Sequence, residues 1–207
     1  MSITNPQTVH EAHLASFTGR MNMIAAAAHC GLTLREFKMT FREFLKYNPP
    51  QEWGYLLHQF LSPLSNLRAD EFGGSLQGRM RFPLAVFEAV REIWPKHKAL
   101  GVRLSATDWV ARSSWTLDES QLFAGELKTR GCDFIDVSSA GNSPEQEIDA
   151  GPGYQTEFAA EIKRITGMPT MAVGHITDPK QAEAVLRSEQ ADMVALGRAM
   201  LNNPRWA

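Results

Sequence analysis

The sequence predicts an α/β fold: a partial (β/α)8 barrel of about the last four βα units, preceded by a helical segment. Three observations carry this reading. After residue 54, apolar runs of strand character alternate with amphipathic helical stretches. Each strand-plus-helix unit takes roughly thirty residues, the share of one unit in a closed barrel of about 250. Before Pro49-Pro50 the pattern is helical only.

In the N-terminal segment, Leu14, Phe17, Met21 and Ile24 recur at three- and four-residue steps, which places them on one helical face. Gly31 is a natural stop. Thr33 with Glu36 reads as a capping box for a helix carrying Leu34, Phe37, Phe41 and Phe44. Two helices joined by a tight turn are therefore expected over residues 9–46. The same layout permits a helix-turn-helix DNA binder, with Arg35, Lys38, Arg42 and Lys46 on the second helix. Glu36 and Glu43 dilute that charge, and nucleic acid is not the expected partner. His10 and His13 stand three apart with no further ligand beside them, so they read as a solvated face and no metal is expected.

Beyond Pro50, Pro83 near a first turn opens a helix carrying Leu84, Phe87 and Val90, and "ALGVRLSA" follows as a buried strand. Thr116 with Glu119 caps the next helix, Gly131 closes it, and "FIDVSS" is the second strand. Phe158, Ala159, Ile162 and Ile165 mark a third helix before "PTMAVG". Asp178-Pro179 caps a fourth before "ADMVALG". Strands separated by helices imply parallel crossovers.

Composition excludes several classes. With 43% hydrophobic and 21% charged residues the chain is of globular type, and a net charge of -2 gives no pull toward nucleic acid or an acidic membrane. No apolar run reaches the roughly 18 to 20 residues of a membrane span, and the N-terminus lacks a secretory pattern. Cys30 and Cys132 are isolated and read as buried, inert thiols. A cytoplasmic protein is expected.

In parallel α/β folds the chemistry collects where strands end. Here the ends are Arg103-Leu104-Ser105, Asp136-Val137-Ser138-Ser139, Val173-Gly174-His175 and Leu196-Gly197-Arg198. If the last two are the final strands of a barrel, Gly174 and Gly197 stand where such folds bind phosphate, with the Arg198 guanidinium and a short helix N-terminus beside them. Equally, the glycines relieve crowding and Arg198 is a solvated charge. Arg103 either pairs with a carboxylate such as Asp136 or points into a ligand site. Asp108 and Trp109 read as a turn and a core plug, and His58 as a packed side chain. The loop at residues 140–155 either covers a ligand or is a plain solvent loop.

The runs "GYLLHQFLSPLSNLRADEFGGSLQGRMRFPLAVFEAVR", "LGVRLSATDWV", "DFIDVSSA", "GPGYQTEFA", "AVGHIT" and "ADMVALGRAMLNNPRW" resemble, in order, the second half of the Old Yellow Enzyme family, in its NADPH dehydrogenase or xenobiotic-reductase branch. The resemblance implies a TIM barrel holding FMN, with hydride passing from NAD(P)H through the flavin to an α,β-unsaturated carbonyl. It assigns Arg103 to the flavin ring, Val173, Gly174, Gly197 and Arg198 to the flavin phosphate site, and Tyr55 to the substrate pocket as candidate proton donor. The family's substrate-anchoring H-x-x-H or H-x-x-N is replaced by Pro50 and Trp53. The expected organisation is thus residues 1–50, a helical segment of unknown origin, and residues 51–207, the second half of an FMN-binding barrel. The expected function is an oxidoreductase impaired by the missing half and the missing pair; the alternative is a non-catalytic remnant with at most residual flavin or phosphate binding. A second copy or a complementing chain is expected to cover the open half-barrel.

Overall fold

A computed structural model describes residues 6–17, 21, 23–47 and 55–206. The chain divides into two compact units, Met1–Gln51 and Glu52–Ala207. Pro49, Pro50 and Trp53 lie outside the described residues.

Among the described residues the first unit holds three helices, α1 (Pro6–Phe17), α2 (Met23–His29) and α3 (Leu34–Tyr47), where the residue spacing predicted two. The apolar spacing runs on through both α1 and α2, but the backbone bends at Met21, whose N–H donates to the Ala15 carbonyl. The break lets Ala26 and Ala27 pack with Ala12 and Phe37, a core of small side chains that one continuous helix could not assemble. Gly31, with φ of 71°, makes the turn into α3, and the Thr33–Glu36 capping box is formed in both directions. His13 corrects its solvated-face reading. It is buried against the rings of Phe37 and Phe41 and shares a 2.9 Å hydrogen bond with Thr40 Oγ1. Burial, and secondarily the neighbouring His10, push its pKa below the usual histidine value.

In the second unit α4 (Leu56–Leu61) and α5 (Leu76–Ile93) precede the alternation β1 (Gly101–Ser105), α6 (Leu117–Thr129), β2 (Phe134–Ser138), α7 (Thr156–Thr166), β3 (Thr170–Ala172), α8 (Pro179–Arg187), β4 (Met193–Val194) and α9 (Arg198–Asn202). The strands form one parallel sheet in the order β1-β2-β3-β4. The predicted caps recur: Thr116 with Glu119 closes a full capping box, and Asp178 accepts from the Lys180 N–H ahead of Pro179. Pro83 sits inside α5 and not in its first turn. The Ser75 side chain accepts from the Gly78 N–H and starts the helix at Leu76, about two turns upstream of the proline.

Register fixes what each sheet face carries. Val102, Leu104, Ile135, Val137, Ala172 and Val194 alternate onto one face and join the main core with Phe123, Leu127 and Ile162 from the helices. Arg103, Asp136, Met171 and Met193 lie in one row on the opposite face, and none of the four is buried. At the start of that face the Phe134 ring lies against Gly101, where an added Cβ would come within 2.4 Å of it, so glycine is required by close approach.

Candidate functional site

The strand ends gather at one rim of the sheet. β3 pairs with β4 through Met171–Met193 and Ala172–Val194, so the segments that follow, Val173-Gly174 and Ala195 to Arg198, leave the sheet side by side, about 5 Å apart. Gly174 is buried with φ of 127°, a conformation L side chains rarely adopt, and its carbonyl accepts from the Gly153 N–H. Gly197 differs: a Cβ there would meet nothing within 4 Å, so the space over it is open. Arg198 is exposed and, among the described residues, forms no ion pair. An open backbone position beside such a guanidinium fits the phosphate end of a nucleotide. The helix argument weakens, however, because α9 has only five residues and too few aligned peptides for a substantial dipole.

Arg103 is placed on the open face, where its Nη1 donates to Asp136 Oδ2 at 2.8 Å; its side chain remains half exposed. The ion-pair reading of Arg103 is therefore realised, with the other guanidinium nitrogens left for a ligand. Asp136 Oδ1 is buried without a partner. β1 and β4 are the two ends of the sheet, so Arg103 stands three strand spacings, about 14 Å, from its row mate Met193 on β4, and Gly197 lies four residues beyond that row. Tyr55 precedes α4 and is highly exposed, at the mouth of a cleft of about 730 Å³ that runs along β1 and is shared by Arg103, Ser105 and Tyr154.

Two further groups shape this rim. Gln155 is buried, accepts from Ser139 Oγ and donates Nε2 to the Val173 carbonyl, which ties the end of β2 to the end of β3. Trp109, at φ of 57°, donates Nε1 to Ser139 Oγ at 2.8 Å and packs on Phe158. The loop over residues 140–155 is thus anchored by Gln155 and by the Glu147 N–H to the Trp109 carbonyl.

Asp108 is the largest feature that reading the residues missed. Fully buried, it accepts from His58 Nε2 at 2.7 Å, Ser62 Oγ at 2.5 Å and the Trp115 N–H at 2.9 Å. Burial acts first to raise its pKa, yet the bonds and charge from His58, then Ser62 and Trp115, leave it below the ordinary carboxylate value. This junction fixes α4, and with it Tyr55, to the loop after β1. His58 and Ser62 are four apart on one helical face, the one signal in the sequence that pointed to it.

The family model for NADH:flavin oxidoreductase / NADH oxidase matches residues 51–207. The chain belongs to that family. It is 47% identical over 151 residues to an NADPH dehydrogenase of Clostridium acetobutylicum, covering 73% of this chain and 44% of the relative. A Bacillus subtilis NADPH dehydrogenase is 42% identical over 154 residues, with 74% and 44% covered. The chain thus spans less than half the length of these relatives of the flavin oxidoreductase family. Among solved structures, morphinone reductase superposes with a TM-score of 0.57 at 25% identity, covering 83% of this chain and 46% of that one. The old yellow enzyme homologue from Zymomonas mobilis gives a TM-score of 0.58 at 21% identity over 97% of this chain and 50% of its own. That coverage reaches into residues 1–50, which the family model leaves unmatched, and shows a likeness of fold alone.

Proposed function

We propose that this chain carries the phosphate-binding half of an FMN-dependent NAD(P)H oxidoreductase of the Old Yellow Enzyme type. The observation that carries the reading is the side-by-side exit of Gly174 and Gly197-Arg198 from β3 and β4 within the matched region. FMN, when bound, supplies hydride acceptance from NAD(P)H and hydride delivery to an electron-poor alkene such as an enone. Val173 and Gly174 offer backbone groups to the phosphate, Gly197 leaves room for it, and Arg198 neutralises its charge. Arg103 places positive charge where the reduced ring would be anionic. Tyr55, at the mouth of the cleft, holds a phenolic proton available for the carbon next to the one that receives hydride.

Turnover by the chain is proposed to be low. Pro50 offers no hydrogen-bond donor and Trp53 a single N–H, where the resembled family uses two polar side chains on the substrate carbonyl oxygen. The alternative, a remnant that binds flavin weakly without catalysis, is supported by the engagement of Arg103 with Asp136. Reconstitution distinguishes them. Protein passed through a desalting column after incubation with FMN is expected to retain yellow absorbance, and NADPH consumption with cyclohexenone is expected near background. A colourless, folded protein would remove the flavin assignment, and ordinary enone turnover would remove the impairment.

A further inference from the structure

We propose that Gln155 is a positioning residue for the phosphate corner: through the Val173 carbonyl it fixes the peptide whose other end, the Gly174 N–H, faces the anionic end of the ligand. The identity of that ligand rests on the flavin reading above; the hold on the peptide stands on geometry alone.

Gln155 occupies the N-cap of α7, where a short polar side chain usually accepts from a helix N–H, yet it makes no such bond. It is 4% exposed, and its amide is engaged with Ser139 and with the Val173 carbonyl. Both bonds belong to one chain of hydrogen bonds that begins at Trp109. Trp109 Nε1 donates to Ser139 Oγ at 2.8 Å, Ser139 Oγ to Gln155 Oε1 at 2.5 Å, and Gln155 Nε2 to the Val173 carbonyl at 3.3 Å. Its direction is fixed at both ends, because an indole N–H only donates and a backbone carbonyl only accepts. With Nε2 turned to Val173, Oε1 is left to Ser139, whose hydroxyl gives it the proton.

What this chain holds is a peptide orientation. The Ala172 carbonyl faces β4, since it accepts from the Ala195 N–H. Along an extended strand the next carbonyl faces the opposite way, and there Gln155 meets it. The Val173–Gly174 peptide is trans, so the Gly174 N–H is antiparallel to that carbonyl and faces the segment that carries Gly197 and Arg198. Gly174 is buried, and no described residue accepts from its N–H. Its own carbonyl accepts from the Gly153 N–H at 2.8 Å, so both carbonyls of the β3 exit are drawn to the turn before α7. A buried N–H without a protein acceptor, turned toward a guanidinium-bearing segment, suits an oxyanion. Glycine at 174 lets this peptide turn over at little cost, so its orientation needs an external hold, and Gln155 supplies it.

Titrations of the full chain with FMN and with riboflavin, which shares the ring and lacks the phosphate, test the role by quenching of flavin fluorescence. The unaltered chain is expected to prefer FMN. Gln155→Leu, which keeps an apolar side chain of similar size in the same place, should weaken FMN about tenfold and riboflavin by less than about twofold. Ser139→Ala should act in the same direction with a smaller loss, and Ser139→Thr should keep the FMN preference because the hydroxyl remains. An FMN preference unchanged in Gln155→Leu and Ser139→Ala, or equal losses for both flavins, would overturn the proposal; if Gln155→Leu does not fold, Ser139→Ala decides. The Gly174 amide resonance gives a second reading. In the unaltered chain it should move downfield on addition of inorganic phosphate, and in Gln155→Leu it should stay in place. Equal movement in both proteins, or none in either, would overturn the proposal. An unaltered chain that binds neither flavin would remove the flavin reading, and the response of Gly174 to inorganic phosphate would then decide the role of Gln155 by itself.

Discussion

The two faces of the sheet present opposite solutions to the same four strands. One face carries Leu104, Ile135, Val137 and Ala172, all buried beneath helices, and the other carries Arg103, Asp136, Met171 and Met193, none of them buried. The contrast separates the residues that carry stability from those proposed to carry ligand binding. Side chains on the covered face and in the Asp108 junction hold the fold, and those at the open face and rim are the ones proposed to meet a ligand.

The largest expected effect that would sharpen this comparison is at Trp115. It is fully buried and its Nε1 donates to Ser120 Oγ, so Trp115→Ala is expected to cost about 3–5 kcal/mol, read from urea denaturation. Asp108→Ala follows. It strands three buried donors and should cost about 3 kcal/mol, with Asp108→Asn costing less. The Asp108 pKa is lowered in the fold, so its contribution is present above the unfolded value of about 3.9 and is lost as pH falls through the folded value. Asp108→Asn should therefore flatten the loss of stability below about pH 4, and an unchanged acid limb would show that the junction is not ionised.

Gly174→Ala should be intermediate. At φ of 127°, and with the new Cβ 3.0 Å from Gln155 Nε2, it is expected to lower stability by about 1–3 kcal/mol. Arg103→Ala should change stability by no more than about 1 kcal/mol, because its ion pair is half exposed on the open face. A loss as large as that at Trp115 would break the division between the faces. Gly197→Ala is the smallest for folding, within about 0.5 kcal/mol, since its Cβ meets nothing; the same methyl fills the space over the strand end and should weaken FMN binding about tenfold.

The residues disclosed the order of strands and helices because caps and apolar periods are local. Thr116–Glu119 and Asp178-Pro179 mark helix starts within a few residues, and both starts stand where they were expected. The division of the leading helix was not legible, because Leu14, Met21 and Ile24 keep helical spacing across the bend at Met21. Pro83 misled in the same way: proline favours a first turn, but the Ser75 cap lies further upstream. At the rim, the glycines and Arg198 were visible as a pattern, whereas the sequence left Arg103 open between a carboxylate such as Asp136 and a ligand, and the pairing register places Asp136 directly beside it. The hub at Asp108 was not visible. Its donors come from positions 58, 62 and 115, and no local period relates all three.

That hub also bears on the order of events in folding. His58 and Asp108 are 50 positions apart, and the chain between them includes all of α5 and β1. A carboxylate surrenders its hydration at a gain only after both segments have arrived, so the link is expected to form late in folding, on the native side of the rate-limiting barrier. In a chevron experiment, substitutions at Asp108 would then speed the escape from the folded state and leave the refolding limb where it was.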